Sequence, residues 1–394
     1  MTRNYSSRER MQSAIGGGQA DYVPCCFMIF SALQSKCRDA EEFIQRQLDL
    51  SLDAMIQVPA RPPRTQTDHA DLPGLPVRFH PDVRIREWKE HPPGSRYPIL
   101  HKEYITPVGT LSTEVDQTED WPYGDHVPFL DDYLIPRAHT SLVTDPNDLK
   151  ALPYLLIPPS DNDIRSFRKG CAEAKRLAED KGVLVWGGWG AVADMAGWLC
   201  GLRNLPLLTM DQPAFVHELI QLIAAWNRAR MEVFLNAGVD LFIRRGWYEG
   251  ADFWSPRLYR EFIFPTLQAD VRLAHEKGVQ FGYIMTTGTM PIVDMIMEAG
   301  VDVLIGVDPV QDTGMDMRLL KQKTRGKMAL WGGVNGFLTV ERGTKEDIRE
   351  AVTEAIRVLG PEGFILSPVD NVRDPSDATW ENVLAFVQAW KAVR

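Results

Sequence analysis

The sequence predicts an α/β chain folded as a (β/α)8 TIM barrel. Short apolar runs rich in β-branched residues recur along it, each followed by a polar or glycine-containing loop and then by apolar residues at helical spacing. This alternation is typical of parallel βα units, and eight units close a barrel. The runs predicted as strands are Val23–Phe30, Asp53–Val58, Val183–Trp186, Asp240–Arg244, Gln280–Met285, Asp302–Val307, Lys327–Trp331 and Gly363–Pro368.

Start and stop signals mark the helices between the later strands. Ser255 followed by Pro256 is typical of an N-cap with proline at the first helical position. Thr344 with Asp347 resembles a capping box in which aspartate replaces the usual glutamate. The apolar residues that follow keep helical spacing until Gly360-Pro361, which predicts the end of that helix.

The segment from Arg61 to Pro159 interrupts this pattern, because it is rich in proline and charge and has few apolar periodicities. We predict an insertion at residues 61–159, between the second and third barrel strands. Its part from Leu100 to Val115 has alternating runs on both sides of Pro107-Val-Gly109, which predicts a β-hairpin. An insertion at the carboxyl-terminal face of a barrel can form a lid or a plain surface elaboration. The sequence leaves both possibilities open.

Composition sets the broad class. The chain has 394 residues, of which 44% are hydrophobic, enough for one large core, so a single domain over residues 1–394 is expected. A net charge of -10 argues against nucleic acid as a partner. The chain has neither an apolar run of about 18 residues nor the apolar core of a signal peptide, so we expect no membrane association and a cytoplasmic location. A homodimer is compatible with the sequence.

The five cysteines show no paired metal-binding spacing. Their number is odd and no CxxC occurs, so neither a disulfide framework nor a zinc knuckle is expected. We interpret them mainly as small buried hydrophobic residues. They are Cys25, Cys26, Cys37, Cys171 and Cys200.

Several segments carry a resemblance to a known family. They are Arg8–Arg10, Asp21–Pro24, Ala237–Asp240, Ser255–Pro256, Glu298–Leu304, Asp316 with Lys321, Trp331–Gly333, Arg342–Thr344 and Gly363–Ser367. Through them the chain resembles the uroporphyrinogen decarboxylase superfamily, most strongly from about Ala237 to Asn382, and within it the corrinoid-dependent methyltransferase branch. The resemblance implies a barrel enzyme with a small-molecule substrate, and a corrinoid carried by a partner protein.

Phe281–Pro291 resembles the metal-ligand segment of that branch, where His-x-Cys-Gly is usual. This chain has Met285 and Thr287 at the two ligand positions. A neutral thioether and a hydroxyl are poor Zn²⁺ ligands beside imidazole or thiolate, so we expect no zinc at the usual family site. True porphyrinogen decarboxylases have an arginine-rich segment after the first strand that grips carboxylates. Here Phe30–Lys36 lacks arginine, which counts against a tetrapyrrole substrate.

Candidate site residues follow the predicted strands, because barrel enzymes place function at the carboxyl ends of strands. Tyr283, Glu249 and Asp308 are the predicted catalytic residues, since each could supply or take a proton. Each also has a structural interpretation: a core aromatic, an Arg–Glu ion pair and a helix cap. A carboxylate set with Asp370 could alternatively hold a metal through oxygen, although no spacing shows it.

The predicted substrate-binding residues also follow strands. Arginines there could hold a carboxylate or phosphate bidentately, tryptophans could stack on a ring, and amides could orient polar groups. An ion pair or plain packing would explain the same residues. The set comprises Arg244, Arg245, Trp247, Trp186, Trp189, Trp331, Asn335, Asp370 and Asn371.

Three functions remain open from sequence. The leading expectation is a methyltransferase or O-demethylase of a small methoxylated compound, working without the usual zinc. The first alternative is a decarboxylase or lyase of a small carboxylated substrate held by Arg244 or Arg245. The second is a binding barrel without catalysis. The missing zinc ligands count against the first function, and the charged strand ends count against the last.

Overall fold

The eleven strands of the described chain form two separate sheets. This computed structural model describes residues 5–58, 72 and 74–394. The strands are β1 (Met55–Gln57), β2 (Arg84–Glu90), β3 (Ile99–Thr106), β4 (Gly109–Asp116), β5 (Ala138–Thr140), β6 (Leu184–Ala191), β7 (Leu241–Arg245), β8 (Gln280–Ile284), β9 (Val303–Val307), β10 (Ala329–Asn335) and β11 (Phe364–Val369).

Helices follow most of these strands. They are α1 (Ser7–Ile15), α2 (Ser31–Gln34), α3 (Ala40–Asp49), α4 (Leu152–Leu155), α5 (Asp161–Lys181), α6 (Ala193–Cys200), α7 (Asn204–Asp211), α8 (Pro213–Asn236), α9 (Pro256–Leu258), α10 (Phe264–Glu276), α11 (Val293–Ala299), α12 (Met317–Thr324), α13 (Lys345–Leu359) and α14 (Asp377–Val393). π-Helical turns occur at Tyr259–Ile263 and Gly336–Glu341. No helix among the described residues is long and apolar enough to cross a membrane.

The chain divides into two compact units. The first comprises residues 1–60, 170–187 and 235–394, and the second comprises residues 61–169 and 188–234. The predicted insertion, residues 61–159, therefore falls in the second unit, which extends beyond it. Residues 61–71 and 73 of that insertion lie outside the described part of the chain.

A curled, parallel, seven-stranded sheet organises the first unit, in the order β1-β6-β7-β8-β9-β10-β11. Each residue of β7, β9, β10 and β11 is buried, as expected for parallel strands covered on both faces. The fold is thus α/β and TIM-barrel-like, with seven strands where the sequence predicts eight.

The predicted first strand, Val23–Phe30, is wrong as a strand. Its contacts are isolated bridges from Cys25 to Leu366 and from Ile29 to Asn371. Side chains bond backbone N–H groups that would otherwise bond to a neighbouring strand. Asp53 accepts from the Cys25 N–H at 3.0 Å, and Ser367 accepts from the Met28 N–H at 2.8 Å. The segment nevertheless lies between β11 and β1, because Cys26 donates to the Leu366 carbonyl and Asp53 donates to the Cys25 carbonyl.

The other local predictions in the first unit are confirmed. Thr344 and Asp347 form a reciprocal capping box at the start of α13, and Gly360 is its C-cap. The Ser255 hydroxyl accepts from the Leu258 N–H, with Pro256 at the start of α9. Of the five cysteines, all but the half-buried Cys37 are buried.

An antiparallel sheet in the order β2-β3-β4-β5 belongs to the second unit. The predicted hairpin is confirmed, since β3 and β4 pair from Ile99 with Asp116 to Thr106 with Gly109. One face of these two strands packs on a small apolar cluster made of Leu100, Val115, Trp121, Tyr123, Val127 and Leu134. The seven residues of β2 are exposed along its whole length.

Candidate active site

Two neighbouring strands bring the central site residues together. Arg244 on β7 is paired in register with Tyr283 on β8. The loop after β7 returns so that Glu249 lies between their side chains. Gly246 permits this approach, because a Cβ there would lie 2.7 Å from the ring of Tyr283. The carboxyl ends of β7 and β8 thus carry a cation, a carboxylate and a phenol in direct contact.

A continuous hydrogen-bond network links these groups. Arg244 donates from Nη2 to both Glu249 oxygens, at 2.9 and 3.0 Å, and from Nη1 to Asp270 Oδ2 at 3.0 Å. The Tyr283 hydroxyl donates to Glu249 Oε2 and lies 3.4 Å from the Tyr259 hydroxyl. Arg244, Glu249, Tyr259 and Tyr283 are each at most 1% exposed. We call Arg244, Glu249, Tyr259, Asp270 and Tyr283 the arginine–tyrosine cluster.

Burial and neighbouring charge set the protonation of this cluster. Burial acts first to raise the pKa of Tyr283 well above its ordinary value, and the nearby Glu249 carboxylate acts in the same direction. Burial by itself would lower the pKa of Arg244, but the Glu249 and Asp270 carboxylates outweigh it and raise that pKa. Tyr283 therefore keeps its proton at neutral pH, and Arg244 stays charged.

Sequence reasoning missed three members of this environment. Tyr259 lies in the π-helical turn before α10, whereas Thr266 and Asp270 lie on α10 itself and both contact Arg244. A signal was present in the spacing: Thr266 and Asp270 are one helical turn apart and share the buried face of α10 with apolar residues. A carboxylate on such a face needs a partner, and Arg244 is that partner.

Arg245 and Trp247 form a second pair at the end of β7. Arg245 is 1% exposed, and its guanidinium carbon lies 4.5 Å from the centre of the Trp247 ring, a cation–π contact. Trp247 is half-buried. Of the two, Trp247 therefore has more surface available to a ligand.

A loss of ligand binding is expected when Trp247 is replaced by alanine. Because its ring is half-buried at a strand end, removing it should weaken binding of a small-molecule ligand by about tenfold or more and lower the melting temperature only slightly. Isothermal titration with a small molecule that binds the parent measures the first effect, and calorimetric melting measures the second. Leu207→Ala, at a site of the second unit that is 64% exposed, is the control. A large drop in melting temperature with unchanged binding would make Trp247 structural.

Asp308 and Asn335 connect the loops after β9 and β10. Asn335 Nδ2 donates to Asp308 Oδ2 at 2.6 Å, and the other Asp308 oxygen accepts from the N–H groups of Val310 and Gln311. Asn335 Oδ1 also accepts from the Leu338 N–H at 2.6 Å. Asp308 thus closes a turn, and Asn335 caps the following π-helical turn. The helix cap predicted for Asp308 is not formed, because Asp316 is the N-cap of α12.

The remaining predicted residues are not members of the arginine–tyrosine cluster. Trp331 is buried and donates from Nε1 to the Cys26 carbonyl at 2.9 Å. Asn371 accepts from the Ser31 N–H and donates to its hydroxyl. Asp370 has a φ of 64° and accepts from Arg373 at 3.3 Å. Both remaining tryptophans are buried, Trp186 on the first-unit part of β6 and Trp189 on its second-unit part.

The family's metal-ligand positions lie in the loop after β8. Met285 is 1% exposed and Thr287 is half-buried. This loop packs closely on the loop after β7: Ala251 donates to the Gly288 carbonyl at 3.0 Å, and a Cβ at Gly250 would lie 2.2 Å from the Thr287 carbonyl oxygen. A buried thioether and a hydroxyl do not fit a zinc site.

No three histidine, cysteine or acidic side chains among the described residues are grouped so as to hold a metal ion. The carboxylate set considered from sequence, Glu249 with Asp308 and Asp370, is therefore not formed. Glu249 has Arg244 as its cation, and Asp308 is bound to an amide and two backbone N–H groups.

Zinc content gives a direct check of this site. We expect elemental analysis of the purified protein to find no stoichiometric zinc bound at Met285 and Thr287, because neither side chain is an anionic or imidazole ligand. The double variant Met285→Ala/Thr287→Ala is the control and should match the parent. About one zinc per parent chain, lost in this variant, would overturn the expectation.

The α/β fold with its curled parallel sheet is that of a TIM-barrel-like protein. A uroporphyrinogen decarboxylase (URO-D) family model matches residues 121–393. Because that match spans more than half of the chain, the protein belongs to the URO-D family. No curated protein matches the chain at the sequence level.

Solved structures agree with this fold. The chain is similar to a methyltransferase from Methanosarcina mazei, at 14% identity and a TM-score of 0.60, over 99% of each chain. It is also similar to a B12-independent methionine synthase from Shewanella sp. W3-18-1, at 11% identity and a TM-score of 0.41, over 57% of this chain and 65% of that one. The first likeness shows the fold, and the second TM-score is too low to support an argument.

Proposed function

We propose that this URO-D family member is a methyltransferase that removes a methyl group from a small methylated or methoxylated compound. The observation that carries the proposal is the Tyr283 hydroxyl at the end of β8, where the family's metal segment begins. This hydroxyl donates to Glu249, which in turn accepts from Arg244. It gives the chain a proton donor in the place where zinc-containing relatives have a Lewis acid. The whole-chain likeness to a methyltransferase fold supports the same reaction class.

The methyl acceptor in this proposal is a corrinoid carried by a partner protein, which acts as a second substrate. The chain itself binds the methyl donor and neutralises the oxygen from which the methyl group departs. That oxygen keeps the electron pair of the broken carbon–oxygen bond, so it must gain a proton to leave as an alcohol or phenol. The proton comes from Tyr283 and is replaced from solvent after the product leaves.

The arginine–tyrosine cluster keeps Tyr283 protonated and orients its hydroxyl. Its raised pKa keeps the phenol protonated at neutral and moderately alkaline pH. Glu249 accepts its hydrogen in the structure and so fixes the direction of the hydroxyl, and Arg244 balances the Glu249 charge. When the donor binds, the hydrogen turns from Glu249 to the departing oxygen. Glu249 and Asp308 remain the alternative acids predicted from sequence.

A carboxy-lyase is the second candidate, and the buried cation Arg245 is the observation that favours it. Such an enzyme needs a cation for the substrate carboxylate. Arg244 is poorly suited to that role, because Glu249 and Asp270 already bind its guanidinium. Arg245, which lies beside Trp247, is the other arginine predicted to bind substrate.

A product assay separates the two candidates. The purified protein, with cob(I)alamin as the acceptor, is incubated with a panel of methoxylated aromatic and aliphatic compounds and, separately, with small carboxylated compounds. Mass spectrometry follows loss of the methyl group, and gas analysis follows CO2. Demethylated product from any donor supports the proposal. Release of CO2 without demethylation would replace it with the carboxy-lyase.

A further inference from the structure

β2 forms an end of the second unit's sheet, with β3 as its neighbour on one side. No described residue pairs with its other edge, and all seven of its residues are exposed. Ile85 and Trp88 are 43% and 36% exposed. A long edge strand with exposed apolar residues is a template for pairing with another strand, and proteins usually protect such an edge with charge.

The charged residues of β2 permit pairing with a second copy of the same strand. Arg84, Arg86, Glu87, Lys89 and Glu90 are distributed so that an antiparallel copy of the strand is complementary to it. With two copies centred on Glu87, Arg84 of each copy lies opposite Glu90 of the other. Directly opposite pairs of opposite charge stabilise antiparallel strands, whereas a parallel copy in register would place like charges together.

The same register also suits the aromatic residue. Arg86 of one copy lies opposite Trp88 of the other, on the face that carries Arg84 and Glu90, because side chains alternate along a strand. Trp88 is already held flat, stacked on His101 of β3 with ring centres 4.7 Å apart. A guanidinium placed over such a ring gains a cation–π contact.

The central pair, Glu87 opposite Glu87, is the one unfavourable contact of this register. Each Glu87 carboxylate is already compensated inside its own copy by Lys102 at 3.2 Å, and it also accepts from the Val127 N–H at 3.1 Å. The diagonal neighbour across the pair is Lys89 of the other copy, which adds a further opposite charge. The centre therefore does not cancel the attraction of the outer pairs.

From these observations we propose that β2 is a homodimer interface, in which two copies pair β2 antiparallel about a twofold axis and join their sheets into one of eight strands. The interface is isologous, since the same surface serves both copies. The occupant of the edge is thus a second copy of this chain. This inference does not depend on the proposed methyl transfer.

Charge reversal tests both the interface and its register. Arg84→Glu produces copies with glutamates at both outer positions, and Glu90→Arg produces copies with arginines at both. Each single variant should dissociate about tenfold or more readily than the parent in sedimentation velocity, because two attractive pairs become repulsive. Mixing the two variants in equal amounts restores every opposite-charge pair, so a heterodimer should form. Arg168→Glu, at an exposed site of the same unit, is the control and should dimerise like the parent.

The outcomes are distinct. A dimeric parent, two weakened single variants and a dimeric mixture support the interface. The double variant Arg84→Glu/Glu90→Arg should also dimerise, which shows that the single variants have not simply misfolded. A parent that stays monomeric at high concentration would overturn the proposal. A dimer unaffected by either reversal, or a mixture that stays monomeric, would overturn it as well.

Discussion

Replacing Tyr283 with phenylalanine is expected to slow methyl transfer by roughly 10²–10⁴-fold, the usual range for the loss of a general acid. The change removes only the hydroxyl, which donates to Glu249 in the structure, and leaves the buried ring in place. Donor binding should therefore persist while the chemical step slows. Single-turnover transfer to cob(I)alamin, followed by absorbance, measures the rate.

Tyr259→Phe is the matched control. Its hydroxyl lies in the same buried cluster, where it donates to the Tyr283 hydroxyl at 3.4 Å. Removal of the Tyr259 hydroxyl should slow methyl transfer by less than about tenfold, because this hydroxyl does not protonate the departing oxygen. If the Tyr283→Phe variant transfers methyl groups at the parent rate, Tyr283 is not the acid, and Glu249 and Asp308 become the residues to test.

Removal of the Arg244 side chain is expected to have the largest effect on stability. Arg244→Ala would leave the Glu249 and Asp270 carboxylates buried without their cation. Breaking a buried ion pair by removing one partner costs about 3–5 kcal/mol. Urea denaturation of parent and variant, monitored by circular dichroism, measures the change in the free energy of unfolding.

A surface ion pair gives the comparison for this prediction. Arg357 bonds Glu354 on the exposed face of α13, with about half of each side chain in solvent. Arg357→Ala should cost at most about 1 kcal/mol, because solvent screens such pairs. A loss for Arg244→Ala as small as this would show that the cluster is hydrated in solution, and that its charges do not depend on one another.

Local chemistry explains which parts of the fold the sequence could predict. The capping box of Thr344 and Asp347, and the hairpin around Pro107, depend on residues close together in the chain, so their patterns were readable. The strand predicted at Val23–Phe30 failed for a non-local reason. Asp53 and Ser367, distant in sequence, take its N–H groups, and an apolar run contains no sign of such competitors.

In the candidate site, too, the sequence predicted the strand-end residues but not their distant partners. The rule that strand ends carry function brought Arg244, Glu249 and Tyr283 onto one short list, and the structure places these three in contact. The rule could not say that Arg244 also binds Asp270, because α10 begins some twenty residues after β7 and is not part of a strand end. Contacts between a strand end and the next helix require three-dimensional information.

Transfer of a methyl group to cob(I)alamin tests the central claim most directly. The purified parent is mixed anaerobically with cob(I)alamin and each methoxylated donor of the panel, and the absorbance of the corrinoid is followed with time. We predict an enzyme-dependent absorbance change with at least one donor, strongly slowed in the Tyr283→Phe variant. No enzyme-dependent change with any donor would contradict methyl transfer as the function of this chain.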